Sequence, residues 1–319
     1  MNTPDSKLAE YYAKFFCANI LINIYENCEK TRAVDRETAI NRIAKFCKID
    51  RSAATDLCEK GVKFLQSARL TMNFDLSNFD FSRLAKTEGR IINCLERGCK
   101  PQEPQGYVFG RARLEENLFH MEDLFRSLPF GQCGRYESTD TPGIRSRGFH
   151  PFSRPIYCAL DVLSGANGAA ATYGYSFLVF KDYMKAICTY APVDTMATDL
   201  MGRSSVAFDK LATFYHMERL IANMQNDRLG YDCFGSFTAK FAGKDVTPHR
   251  NYGRGGRNNY IDVQLHGQPY INRDVDQIYL SRYEADILSR KISSKNFESI
   301  MKSVDEINKS ARRKIIVLI

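Results

Sequence analysis

The residues best suited to chemistry lie in one short stretch, residues 258–269. Within it Asp262, Gln264 and His266 alternate with three apolar residues. Because alternate side chains of a strand point to opposite faces, a carboxylate, an amide and an imidazole would line one face. A glycine- and arginine-rich segment, residues 251–257, precedes the stretch, and loops leading into strands commonly carry sites. The pattern predicts a strand that presents a candidate site, or a strand with one face in water.

Composition bounds the class of protein. With 44% apolar and 26% charged residues in a chain of 319, the protein can bury a substantial core, and its length favours two domains. No apolar run approaches the roughly 18 residues that a membrane-spanning helix needs. The first residues lack the charged and apolar regions of an export signal. We therefore expect no membrane partner, and secretion, if it occurs, must not depend on a signal peptide.

Metal-binding spacings are missing from the sequence. Ten cysteines and five histidines are scattered along the chain without Cys-x-x-Cys pairs or paired histidines. The expected state of the cysteines is therefore buried and reduced, and we predict no metal site.

Nucleic-acid binding is a weaker expectation. The formal net charge of +8 is spread evenly rather than concentrated, which is typical of a solvated surface. Two predicted helices around residue 48 have helix-turn-helix spacing, but Asp50, Asp56 and Glu59 would bring negative charge toward the phosphates. The segment from Arg254 to Arg257 is the other basic candidate.

The first hundred residues read as entirely helical. Apolar residues recur every three or four positions over 7–29 and 35–46, and Asp50 is an N-cap candidate for a third helix. The segment from Pro101 to Gly106 has two prolines and a glycine in six residues, which is typical of a linker. We therefore predict a helical partner-binding domain and a second domain, with the boundaries 1–100 and 107–319.

The second region has mixed patterns. A helix carrying Leu114 and Leu118 begins it, and a second helix is predicted over 208–224, with His216 on its solvated flank. Short β-branched and aromatic runs predict strands, and a charged helical tail is followed by an apolar strand or packing segment. The strands are predicted at 135–139, 155–161, 175–180, 186–190 and 273–280, the tail at 283–311 and the last segment at 315–319.

Several of these segments, taken in order, resemble a bacterial domain family of unassigned function. The matching blocks are Arg135-Tyr-Glu-Ser-Thr, Arg154-Pro-Ile-Tyr157-Cys-Ala-Leu, Tyr173-Gly-Tyr-Ser-Phe, Cys188-Thr-Tyr-Ala-Pro-Val-Asp194-Thr and Tyr260-Ile-Asp262-Val-Gln264-Leu-His266-Gly. Their layout is also similar to the ADP-ribosyltransferase fold of effectors that bacteria deliver into host cells, one group of which modifies ubiquitin on threonine. The resemblance implies an α+β protein, in which an N-terminal helical bundle precedes a mixed α/β split-sheet domain.

That resemblance also implies an activity. The protein would be an NAD-dependent mono-ADP-ribosyltransferase that uses NAD as substrate, needs no metal and modifies a host protein, with ubiquitin as one candidate acceptor. It would act in the host cytosol after secretion, or in the bacterial cytoplasm if it is not an effector.

The implied roles fall on eight residues. Asp262 would stabilise the oxocarbenium-like state that forms when nicotinamide leaves, with Gln264 orienting the acceptor and Glu137 as a second catalytic carboxylate. The expected NAD-binding residues are Arg135, Ser138, Arg154, Tyr157 and His266, with Tyr157 stacking on nicotinamide. Where this sequence has Asp262 the family pattern has glutamate, so the carboxylate here is one methylene shorter. A catalytically degenerate module that only binds a host protein is the main alternative, and a nucleic-acid-binding protein is the weaker one.

Overall fold

The computed structural model describes residues 4–79, 81, 84, 89–94, 107–120, 154–162, 167–192, 194–195, 207–224, 233–244, 260–310 and 316–319. Within these residues the fold is α+β, with helices packed on one mixed sheet. No helix of the described residues is long and apolar enough to cross a membrane.

The described strands form one eight-stranded sheet with the order β5-β4-β6-β2-β1-β3-β7-β8. Every neighbouring pair is antiparallel except β7 and β8, which are parallel. The strands are β1 (Arg69–Phe74), β2 (Ile156–Asp161), β3 (Ser176–Phe180), β4 (Cys188–Ala191), β5 (Ala212–Thr213), β6 (Ile261–Leu265), β7 (Val275–Leu280) and β8 (Ile316–Leu318). Strand β6, which carries Asp262, is therefore flanked on both sides by β4 and β2.

Most strands lie where the sequence predicts them. Strands β2, β3, β4, β6, β7 and β8 confirm six predicted segments, while the segment 135–139 lies outside the described residues. Strand β1 contradicts the expectation of an entirely helical first hundred residues. It pairs with both β2 and β3, and this pairing from distant parts of the chain, rather than a local pattern, makes residues 69–74 extended.

Eight α-helices whose bounds the described residues define accompany the sheet, together with short 3-10 segments. They are α1 (Pro4–Cys47), α2 (Arg51–Ser67), α3 (Tyr107–Leu118), α4 (Met217–Asn223), α5 (Cys233–Phe241), α6 (Ile271–Asp274), α7 (Arg282–Lys291) and α8 (Ser294–Ser310). The two helices predicted over 7–29 and 35–46 are one, because no glycine or proline interrupts the residues between them. Asp50 is the N-cap of α2 as predicted, since its Oδ1 accepts a hydrogen bond of 2.9 Å from the Ala53 amide.

The helix predicted over 208–224 is wrong for its first half. Residues 212–213 form β5, which pairs with β4, and α4 begins only at Met217. His216 does not lie on a solvated flank, because it is only 1% exposed. Its Nδ1 lies 2.7 Å from Thr213 Oγ1 and its Nε2 lies 2.8 Å from Glu29 Oε1. Because a buried imidazole needs hydrogen-bond partners, His216 links its own segment to α1 through Glu29.

The predicted linker, residues 101–106, lies outside the described residues. Since β1 lies between β2 and β3, residues on both sides of that linker contribute to one sheet. The partner-binding role of residues 1–100 stays a prediction.

The two faces of the sheet are covered differently around β6. Its apolar side chains Ile261, Val263 and Leu265 belong to the main hydrophobic core, which includes residues of α1, α2 and α4. A smaller apolar cluster contains Ile20 and Ile24 of α1, Leu118 of α3 and Ala191 of β4. Ala191 pairs with Asp262 across the sheet, so this cluster lies on the polar face of β6.

Candidate active site

The polar face of β6 is buried, which contradicts the alternative of a strand with one face in water. Asp262, Gln264 and His266 are 3%, 0% and 3% exposed. Tyr157 of β2 and Thr189 of β4 stand on either side of Gln264 in the strand register. Burying a row of polar groups costs free energy unless each finds a partner, so their partners show how the row is stabilised.

Among the residues that the structure describes, Thr195 holds Asp262. The Thr195 amide donates to Asp262 Oδ2 at 2.9 Å and the Thr195 hydroxyl donates to the same oxygen at 2.5 Å. Burial and the nearby charge of Asp194 raise the pKa of Asp262 to about 6, although Arg111 and the Thr195 hydrogen bonds favour the ionised form. The carboxylate is therefore fixed in direction by Thr195.

Arg111 of α3 supplies positive charge beside this carboxylate. Its guanidinium carbon lies 3.7 Å from the centre of the Tyr157 ring, a cation–π contact. Its Nη1 also donates to Thr195 Oγ1 at 3.3 Å. One face of the Tyr157 ring is thus covered by Arg111, and the stacking of Tyr157 on nicotinamide stays a prediction.

A buried ion pair between Arg154 and Glu115 joins the residues just before β2 to α3. Glu115 accepts hydrogen bonds from the Tyr157 hydroxyl at 2.9 Å and from Arg154 Nη1 at 3.2 Å. Arg154 Nη2 donates to Glu116 at 2.8 Å. Burial raises the pKa of Glu115, and the two arginines Arg154 and Arg111 oppose that rise. Arg154, predicted to bind NAD, therefore already has two carboxylate partners in this structure.

Gln264 and His266 share Thr189. The Thr189 hydroxyl donates to Gln264 Oε1 at 3.1 Å and lies 2.9 Å from His266 Nε2. A hydroxyl has one proton, so His266 must donate from Nε2, which leaves Nδ1 as an acceptor. Among the described residues, neither Gln264 Nε2 nor His266 Nδ1 has a hydrogen-bond partner.

Burial lowers the pKa of His266 to about 3, so this imidazole is neutral at physiological pH. In the unfolded chain histidine titrates near pH 6.5, so between pH 6.5 and 3 the unfolded state binds more protons. His266 therefore destabilises the fold progressively as pH falls through this window and has no such effect above it.

We expect His266→Gln to remove this loss of stability at low pH, while the glutamine amide keeps a hydrogen-bond donor toward Thr189. Between pH 7 and pH 4.5, the free energy of unfolding of the unaltered protein should fall by about 2–3 kcal/mol more than that of the variant. Urea denaturation at both pH values measures the difference. The control is His120→Asn, because His120 is exposed and has a positive φ of 49° that asparagine tolerates; equal pH dependence in the His266 variant would contradict the assignment.

Two tyrosines and a second aspartate lie at one end of the polar row. Tyr260, two residues before Asp262 on the same strand face, donates from its hydroxyl to Asp194 Oδ2 at 3.0 Å. The Tyr173 hydroxyl lies 3.3 Å from that of Tyr260. Tyr260 is buried, whereas Tyr173 is 45% exposed and Asp194 is partly exposed. This end of the row therefore has access to solvent.

The structure brings five of the eight predicted site residues into one region: Arg154, Tyr157, Asp262, Gln264 and His266. The other three, Arg135, Glu137 and Ser138, lie outside the described residues. Sequence reasoning missed Arg111, Glu115 and Thr195. Thr195 ends one of the resemblance blocks, which was a usable signal, but Arg111 and Glu115 lie on a helix with no distinctive motif.

Among the described residues, no group of three or more His, Cys, Asp or Glu side chains is arranged to hold a metal ion. A scan against protein-family models finds no matching family. A search of curated proteins finds no matching relative.

Proposed function

We propose that this protein is an NAD-dependent mono-ADP-ribosyltransferase that modifies a host protein, with ubiquitin as one candidate acceptor. The observation that supports this most is the Asp262 carboxylate, which is buried, oriented by two donors from Thr195 and adjacent to the Arg111–Tyr157 pair. Under the proposal the sheet is the split sheet of that enzyme class, and the protein acts in the host cytosol.

The chemistry requires a fixed negative charge. When the bond between nicotinamide and C1′ of the ribose breaks, the bonding electrons leave with nicotinamide and positive charge develops on the ribose. A preorganised carboxylate stabilises that charge without reorganising during the reaction. Asp262 meets this requirement because both Thr195 donors hold Oδ2.

In this chain the shorter side chain of Asp262 is accompanied by a contact that fixes its direction. Because Asp262 is one methylene shorter than the glutamate of the resembling family, the ribose must come closer to β6. The clamp from Thr195 limits the rotamers of Asp262, which compensates in orientation for what is lost in reach.

Incubation of the purified chain with labelled NAD and a eukaryotic cell lysate tests the proposal. We expect nicotinamide release and label on a discrete protein band. In Asp262→Ala both signals should fall by about 10²–10³-fold, the range found when one preorganised electrostatic group is removed. Circular dichroism of the variant checks that the fold is retained.

The matched control is Asp286→Ala, which removes an exposed aspartate of α7. It should leave both signals unchanged. Full activity in Asp262→Ala, or no nicotinamide release from the unaltered protein with any lysate, would reject the enzyme assignment.

A catalytically degenerate binding module is the second candidate, and one observation favours it. Asp262 is only 3% exposed, so substrate must enter beside a buried carboxylate. This candidate predicts no nicotinamide release from any form of the protein, together with stable capture of a host protein that Asp262→Ala does not weaken.

A further inference from the structure

Two carboxylates, Asp262 and Asp194, lie at the same end of the polar row, and their surroundings differ. Asp194 directly precedes Thr195, the residue that clamps Asp262, and its own Oδ2 accepts the Tyr260 hydroxyl at 3.0 Å. Tyr260 lies two residues before Asp262, directly before the start of β6. The segment Asp194–Thr195 thus carries one of the two carboxylates and orients the other.

We propose that Asp194 is the catalytic base that accepts the proton of the acceptor's nucleophilic group. This inference rests on the proposed transferase function and assigns it a second acidic residue. It separates the two halves of the reaction, with Asp262 acting on the ribose and Asp194 on the acceptor.

The step is balanced with groups that the proposal names. The C1′–nitrogen bond of NAD breaks and its electron pair leaves with neutral nicotinamide. A lone pair of the acceptor's hydroxyl or amine then forms the new bond to C1′, and the proton released from that oxygen or nitrogen moves to the Asp194 carboxylate. No oxidant, reductant or metal is needed.

The two buried carboxylates near the site are less suitable as the base. Asp262 receives two hydrogen bonds from Thr195 and is almost fully buried. Glu115 is fully buried and bonded to Tyr157 and Arg154. Asp194 is partly exposed and stands near Tyr173, which is half-exposed. An acceptor side chain from another protein can therefore approach Asp194 from solvent.

Tyr260 has a positioning role in this scheme. Its hydroxyl orients the Asp194 carboxylate through the 3.0 Å hydrogen bond. Tyr260→Phe should therefore weaken transfer less than removal of the carboxylate itself, because only the orientation is lost.

The test measures two quantities on the same samples: nicotinamide release without lysate, which reports hydrolysis of NAD, and label on lysate protein, which reports transfer. Nicotinamide departs through an oxocarbenium-like state. Removing Asp194, the base that would take the acceptor's proton, should therefore not slow cleavage of the C1′–nitrogen bond. In Asp194→Asn we expect transfer to fall by about 100-fold, the lower range for a general base. Nicotinamide release should stay within about threefold of the unaltered protein.

Chemical rescue separates a base from a structural role. In Asp194→Ala, added formate supplies a small carboxylate, and we expect it to restore part of the transfer signal in proportion to its concentration. Asp286→Ala, the exposed control, should neither lose transfer nor respond to formate.

The possible results separate the role of Asp194 from the proposed transferase function. Unchanged transfer in Asp194→Asn, or equal loss of release and transfer without rescue by formate, would overturn the role of Asp194 while leaving the transferase intact. No nicotinamide release from the unaltered protein with any lysate would instead reject the proposed function, and the role of Asp194 with it.

Discussion

Gly174→Ala is expected to lower the free energy of unfolding by more than about 4 kcal/mol, the exceptional range for single substitutions. Gly174 lies before β3 with a φ of +146°, a conformation that side chains rarely adopt. A Cβ atom there would lie 2.0 Å from the carbonyl oxygen of Phe74 and 2.2 Å from its carbonyl carbon. Since the obstacle is backbone of β1, the neighbouring strand must move.

Gly243→Ala is the matched control for that substitution. Gly243 also has a positive φ, of 77°, but a Cβ atom there would meet nothing within 4 Å. Gly243→Ala should lower the free energy of unfolding by only about 1–2 kcal/mol, the cost of placing a side chain at a positive φ. Urea denaturation of both variants measures the difference, and similar losses in the two would show that close packing against Phe74 contributes nothing.

The Gly174 substitution also has a functional readout. Gly174 follows Tyr173, whose hydroxyl lies near that of Tyr260 and thus near Asp194. If enough Gly174→Ala protein folds for assay, we expect transfer to be impaired through displacement of Tyr173. This gives a steric reason for the glycine in the block Tyr173-Gly-Tyr-Ser-Phe.

Arg154→Met is expected to lower the free energy of unfolding by about 3–5 kcal/mol, the usual cost of removing one partner of a buried ion pair. The Arg154 and Glu115 side chains are both fully buried, and Glu116 is the second partner of Arg154. Methionine has a similar length but no charge, so Glu115 and Glu116 would each lose the ion pair with Arg154. Denaturation at pH 7 measures the loss.

The pH dependence of this variant follows from Glu115, whose pKa is already raised by burial. Without Arg154 that pKa rises further, so the folded state holds the proton more tightly than the unfolded state. The destabilisation is then complete above the folded pKa and disappears as pH falls below the unfolded value near 4.3.

Two further variants control for the Arg154 result. Arg51→Met breaks an ion pair with Glu37 in which both side chains are largely exposed, and it should cost no more than about 1 kcal/mol. Adding Glu115→Gln to Arg154→Met should recover part of the loss, because it removes the unpaired charge. If the double variant is no more stable than Arg154→Met, loss of packing rather than unpaired charge explains the effect.

The local sequence determined much of the secondary structure. Alternation of apolar and polar residues predicted β6 and its polar face, and short β-branched and aromatic runs predicted β2, β3 and β4. Asp50 was recognisable as the N-cap of α2. These features depend on contacts within a few residues, which a sequence pattern records directly.

Tertiary structure alone decided β1, the burial of the polar face and the partners of Asp262. Leu70 and its neighbours are extended because β2 and β3 pair with them, and the buried His216 finds its partner Glu29 on the distant helix α1. Thr195 meets Asp262 from 67 positions away, and Arg111 meets Thr195 from 84. The residue types of the candidate site were therefore visible in the sequence. Which charge faces which carboxylate depends on how distant segments pack, and no local periodicity encodes that.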